Sequence, residues 1–164
     1  MDRNEFHALY ERHARDVQRF AFYLTGQSAQ AEDITAETFV RAWTATEPVH
    51  TESVKAYLFA IARNLVREAA RRRAPEADVD ASTADPRPGP PTETGDRLEL
   101  QSVLRALDSL PESDRAALLM RAQDGLSYEE IARVLELSVA AVRVKIHRAR
   151  IQLNSIRLRP EHNS

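Results

Sequence analysis

Residues 138–159 hold six cations (Arg143, Lys145, Arg148, Arg150, Arg157 and Arg159) and not one acid. If Val139, Val142, Ile146, Ala149 and Leu153 form the buried stripe of a helix, then Ala140, Arg143, Val144, His147, Arg148 and Ile151 turn outward, with Ala141 and Lys145 on the flank. A guanidinium can donate two hydrogen bonds to O6 and N7 of a guanine, and small side chains admit a thymine methyl. Such a helix suits a DNA major groove. Ser138 stands at its cap position. Just upstream, Ser127-Tyr-Glu-Glu130 forms a capping box that opens a short helix to Leu135. Two capped helices joined by a tight turn over 126–150 read as a helix-turn-helix.

A second basic stretch, KAYLFAIARNLVREAARRR (55–73), places Arg63, Asn64, Arg67, Arg71 and Arg72 at three- and four-residue steps. They can share one helical face opposite Tyr57, Leu58, Ile61 and Leu65. A basic helix backed by aromatics fits single-stranded nucleic acid, whose bases stack or leave the duplex. Trp43 and Tyr57 themselves sit at helical spacing and are expected to pack inward. Asp33 and Glu37 lie four residues apart, where carboxylates on a helix shoulder can meet a basic partner or simply face water.

Catalysis finds no support. The five histidines are dispersed with no metal-ligand spacing, the four glycines form no phosphate loop, and cysteine is absent. Ser127 and Ser138 read as caps, and no cofactor is expected. No apolar run approaches the ~20 residues of a membrane span, and MDRNEFHALY has no secretion-signal core. A cytoplasmic protein that does not insert into membranes is expected.

The elements that position these residues fall on either side of a break. The segment 74–97 contains five of the eight prolines, with 6 acids and 2 bases, and almost nothing apolar. It cannot bury enough surface to order itself and reads as a linker. Residues 1–73 (11 basic, 10 acidic) contain nine of the ten aromatics and show three helical stripes. The first runs from Phe6 to Leu24 and stops at Gly26. The second is Ala31, Ile34, Thr35, Thr38, Phe39 and Ala42. The third is Val54, Tyr57, Leu58, Ile61, Ala62 and Leu65, capped near Thr51 or Ser53. Beyond the linker, four helices are expected: about 96–108, Pro111 to Gly125, 127–135 and 138 onward. The chain is therefore all-α, with two small helical domains (1–73 and 96–159) joined by a flexible acidic, proline-rich linker (74–95).

The sequence resembles the extracytoplasmic-function (ECF) group of the bacterial sigma-70 family, RNA polymerase initiation factors. AEDITAETFVRAW (31–43) is similar to region 2.2 and IARNLVREAARRR (61–73) to region 2.4. Region 4 is matched by 107–150, where Leu110-Pro111, Arg115, Gly125-Leu-Ser127-Tyr, Glu130-Ile-Ala132 and His147-Arg-Ala-Arg150 fall at the family's spacings. No room is left for regions 1.1 and 3. The resemblance implies that Asp33, Ile34, Glu37, Phe39 and Arg41 contact core polymerase at the coiled coil of β′. It implies that Thr44–Glu52 captures a flipped base of the −10 element, and that Arg63, Asn64, Arg67, Arg71 and Arg72 face that single strand. Ser138, Ala141, Arg143, Val144, Lys145, His147 and Arg148 would meet the −35 duplex. The implied partners are core polymerase (β′ coiled coil and β flap), promoter DNA and, as is common in the group, an anti-sigma factor. The linker would thread the polymerase cleft. Departures from the family pattern are Ala36 for a common Gln, Glu136 for the turn Gly and Ala140-Ala141 for Gly-Thr. A helix-turn-helix regulator acting outside the initiation complex also accounts for 126–150, but leaves residues 1–73 as a mere interaction domain. A non-DNA adaptor of two helical bundles is opposed by the acid-free helix.

Overall fold

The computed structural model describes residues 1–45, 53–73 and 94–158, the side chains of Thr94, Arg157 and Leu158 excepted. The described residues form seven helices and no strand. The chain divides into two compact units, Met1–Pro90 and Pro91–Ser164. Of the expected linker 74–95, Thr94 and Gly95 open a helix instead, while 74–93, residues 46–52 of the base-capturing loop and Arg159 lie outside the described residues.

In the first unit, α1 (Arg3–Thr25) begins with a capping box that sequence inspection missed. The Glu5 N–H donates to Asp2 Oδ1 at 2.8 Å, and the Asp2 N–H donates to Glu5 Oε2 at 3.0 Å. The helix stops at Gly26, whose φ of 74° is a left-handed conformation that costs glycine nothing. A Cβ there would meet no atom within 4 Å, so backbone angle rather than space selects this residue.

Helix α2 (Ser28–Thr44) buries Ala31, Ile34, Thr35, Thr38, Phe39 and Ala42, the stripe expected from spacing. Its two buried threonines leave no hydroxyl unmet, because Thr35 Oγ1 donates to the Ala31 carbonyl and Thr38 Oγ1 to that of Ile34, each at 2.7 Å.

Helix α3 (Val54–Arg73) follows directly after Ser53 but is rotated from the expected phase. It buries Ala56, Phe59, Arg63 and Val66 along with Leu58, Ala62 and Leu65, while Val54, Tyr57 and Ile61 are only half-buried. The cause is Phe59, which stacks on Phe20 of α1 with ring centroids 4.5 Å apart and planes 12° apart. The Phe59 ring takes the centre of the core and leaves Val54, Tyr57 and Ile61 toward its rim.

His13 of α1 has its pKa pushed below the ordinary value by burial, then by Lys55 and Arg12, with Asp16 opposing. Below about pH 6.5 the unfolded chain takes this proton before the folded one, so stability falls as pH drops through that value. His13→Gln is expected to flatten that decline, as read from denaturation midpoints at neutral and at acid pH.

In the second unit, α4 (Thr94–Asp108), α5 (Glu112–Ala122), α6 (Tyr128–Leu135) and α7 (Val139–Leu158) form one core in which α5 and α7 each touch the three other helices. Ala116, Ala117, Leu118, Leu119 and Met120 are all buried, a run only a central helix can afford. Pro111 sits at the N-cap of α5, where its missing N–H is no loss. Arg115 stitches α5 to the end of α4: its Nε donates to the Leu107 carbonyl at 2.8 Å and Nη2 to that of Leu110 at 2.9 Å. Gly125 then turns the chain with φ 68°.

Helix α6 has the expected capping box, with Glu130 N–H to Ser127 Oγ at 3.0 Å and Ser127 N–H to Glu130 Oε1 at 2.8 Å. It ends on Glu136 in the left-handed region (φ 57°, ψ 48°), so the glutamate that replaces the family's turn Gly is strained there. Glu136→Gly is expected to stabilise the unit by about 0.5–1 kcal/mol, because relief of the left-handed penalty exceeds the added backbone entropy of the unfolded chain. A higher midpoint in urea unfolding is the measurement.

Candidate nucleic-acid and partner interfaces

The turn between α6 and α7 is closed by backbone and side chain together. The Leu137 N–H donates to the Ala132 carbonyl at 3.0 Å, and the Ala141 N–H donates to Ser138 Oγ at 3.0 Å. Ser138 thus caps α7 with an exposed hydroxyl. Val142, Ile146 and Ala149 are buried, and Val139 and Leu153 half-buried. This phase leaves Ala140, Arg143, Val144, His147, Arg148 and Ile151 exposed and Ala141 and Lys145 half-buried at the edge. All seven residues assigned to duplex contact therefore lie on or beside one open face.

Three cations on or beside that face are seated by residues that spacing did not reveal. Arg143 lies over the Tyr128 ring at 5.0 Å from its centroid, and Arg121 lies over the same ring at 4.5 Å. Lys145 Nζ and Arg148 Nη2 both reach Asp114 Oδ1, at 3.4 Å and 3.2 Å. Asp114 is buried on α5, and nothing local in the sequence ties it to residues 31 and 34 positions away.

On α3, Asn64, Arg67, Arg71, Arg72 and Arg73 are exposed. The three terminal arginines also suit the negative end of the helix dipole. Arg63 does not share this face. It is only 7% exposed, so its expected place beside Asn64 and Arg67 is corrected. Position 63 stands four residues after Phe59 and three before Val66, and the stacking of Phe59 on Phe20 carries that line into the core. The long apolar stem of an arginine tolerates such burial.

On α2, Asp33, Glu37 and Arg41 form an exposed row one turn apart. Arg41 Nε pairs with Glu37 Oε2 at 3.2 Å, and its Nη2 lies 3.7 Å from Glu68 Oε1. Ile34 and Phe39 are 5% and 2% exposed, which corrects their expected role as partner contacts. They anchor the helix from beneath, Phe39 meeting Tyr10 edge-on at 4.9 Å. The surface residues missed by sequence reading are Val40 and Tyr10, both substantially exposed. Val40 lies off the buried stripe between Glu37 and Arg41, an exposed apolar residue in a charged row. Trp43, expected to pack inward, does so only in part: it meets Phe6 edge-on at 4.6 Å yet stays 44% exposed.

One unit thus holds a capped helix-turn-helix whose outer face on α7 carries no acid, and the other holds one basic helix and one mixed-charge row. Residues 9–76 match sigma-70 region 2, and residues 100–153 match sigma-70 region 4. The chain is 37% identical over 152 residues to the ECF RNA polymerase sigma factor SigE of Mycolicibacterium smegmatis, covering 88% of this chain and 58% of that protein. It is 34% identical over 142 residues to the ECF RNA polymerase sigma factor EcfG of Rhodopseudomonas palustris, covering 85% of this chain and 78% of the relative. The solved structure of CnrH in complex with the cytosolic domain of CnrY superposes with a TM-score of 0.75 at 27% identity, over 99% of this chain and 92% of CnrH. The chain belongs to the ECF group of RNA polymerase sigma factors. Among the described residues, no helix is long and apolar enough to cross a membrane.

Proposed function

We propose that this chain, acting in the cytoplasm, directs core RNA polymerase to promoters and helps open them, the polymerase supplying all bond chemistry. The exposed face of α7 reads the −35 duplex. Asn64, Arg67 and the arginines at 71–73 hold the −10 strand by charge and hydrogen bonding, with Thr44–Glu52 taking an unstacked base. The row Asp33–Glu37–Arg41, with Val40 inside it, docks on the β′ coiled coil, the second unit also meets the β flap, and the acidic segment 74–93 passes through the cleft. A protein antagonist such as an anti-sigma factor regulates the chain by covering these same surfaces. The observation that carries this reading is the acid-free outer face of α7, held outward by a buried line and a capped turn.

A regulator working outside the initiation complex would leave the α2 row and the α3 arginines idle. The test is transcription by core polymerase plus the purified chain on a library of genomic fragments. Discrete start sites that need the chain are expected, and their absence refutes the reading. Asp33→Ala with Glu37→Ala is expected to weaken association with core polymerase about tenfold at low salt, less at high salt, as for charges at an interface rim. Thermal stability should hardly change, because the exposed Glu37–Arg41 pair contributes little to folding.

A further inference from the structure

Asp114 is the third residue of α5, and its side chain is only 3% exposed. A carboxylate buried this deeply needs cations or donors around it. Both cations it meets come from α7: Lys145 Nζ at 3.4 Å and Arg148 Nη2 at 3.2 Å, each on the same oxygen. The two partners are not buried alike. Lys145 is 21% exposed, whereas the Arg148 side chain remains 59% exposed. One corner of the Arg148 guanidinium is therefore tethered from below while the group itself stands open on the outer face.

Resting on the proposed function, we propose that Asp114 is a specificity-determining positioning residue: it sets the plane of the Arg148 guanidinium before DNA arrives. Bidentate reading of a guanine requires two N–H groups of one arginine to point along a fixed pair of directions. A free arginine must give up much side-chain freedom to achieve that, and a group fixed beforehand loses less on binding. Phosphate attraction has no such directional demand, since a point charge suffices. Asp114 therefore acts on the choice of base and hardly on affinity for the DNA backbone. Its negative charge, if anything, opposes backbone binding.

The experiment uses the full chain with core polymerase on a template library randomised through the upstream segment, with sequencing of the transcripts. The variants are Asp114→Asn and Asp114→Glu, each compared with wild type and with Arg148→Ala. For Asp114→Asn, preference at the base read by Arg148 is expected to fall about fivefold, the low end of what one bidentate contact contributes. Transcription from templates lacking the preferred base should not fall. Asp114→Glu keeps the charge but moves the carboxylate by one methylene. It should flatten the same preference, so a folding failure of Asp114→Asn does not remove the test. In the Arg148→Ala background, either change at position 114 should leave base preference as it was. An unchanged preference in both single variants overturns the proposal. So does a proportional loss across all templates, or an effect that persists without Arg148. If wild type itself selects no upstream sequence, the promoter-binding reading fails and this proposal falls with it, a result distinct from selection by wild type that Asp114 variants retain in full.

Discussion

Replacing Arg143 and Arg148 together with alanine is expected to lower transcription from −35-dependent templates about a hundredfold, with association to core polymerase unchanged. The magnitude follows from the proposed base contacts of the two arginines at about 1–3 kcal/mol each, where about 1.4 kcal/mol is a factor of ten. Both side chains are exposed on the outer face of α7, so their loss opens no cavity. Alanine suits a helix better than any other residue. The contacts they leave behind are also tolerable. Tyr128 retains Arg121 over its ring, and the Asp114 carboxylate retains Lys145. The domain should therefore stay folded, and the deficit should appear as lost promoter recognition. Gel-shift of the reconstituted polymerase, alongside a pull-down with core enzyme alone, separates the two. If binding to core falls in parallel with transcription, the assignment of α7 to DNA is wrong.

Phe59→Ala should give the largest loss of stability in the first unit, about 3–5 kcal/mol, the range for deleting a buried phenyl ring. Phe59 and Phe20 are both 0% exposed and stack face to face, so truncating one strips contact from the other across two helices. A whole small domain is commonly stable by only about 5–15 kcal/mol, so much of the margin disappears. Trp43 is the only tryptophan and lies in this unit against Phe6, which makes its fluorescence a local reporter. Its thermal transition is expected to fall by at least about 10 °C, at roughly 4–8 °C per kcal/mol for a domain this small. A fall under about 4 °C would mean that the stacked pair does not anchor the core. Core-polymerase binding should be lost at temperatures where the wild type retains it, since Asp33, Glu37 and Arg41 depend on α2 being held in place.

The second unit was the more legible of the two. Its signals are local: a capping box closes over three residues, a turn over four, and one helix face repeats every few positions. Ser127, Glu130, Ser138 and the 142/146/149 line could therefore be placed without knowledge of the rest of the fold. The strain at Glu136 was equally local, since a turn at that point requires a positive φ whatever packs around it.

Helix α3 was harder to read. Its sequence is apolar on more than half its circumference, so several phases satisfy the pattern, and the phase that turns Arg63 outward is not the one the core selects. Ile34 and Phe39 differ from Arg63: spacing alone places both in the buried stripe of α2, where they lie, and only the family resemblance turned them toward a partner.

Sequence alone determined the all-helical character, the helix-turn-helix and the outward face of α7, because each follows from contacts a few residues apart. Tertiary structure decided which side of α3 faces the core, through the Phe20–Phe59 stack. It also decided that Arg148 and Lys145 share the buried Asp114 and that Arg143 rests on Tyr128. Those pairings join residues distant along the chain. Burial and charge bring them together only once the helices pack, and no spacing rule along a single helix records them.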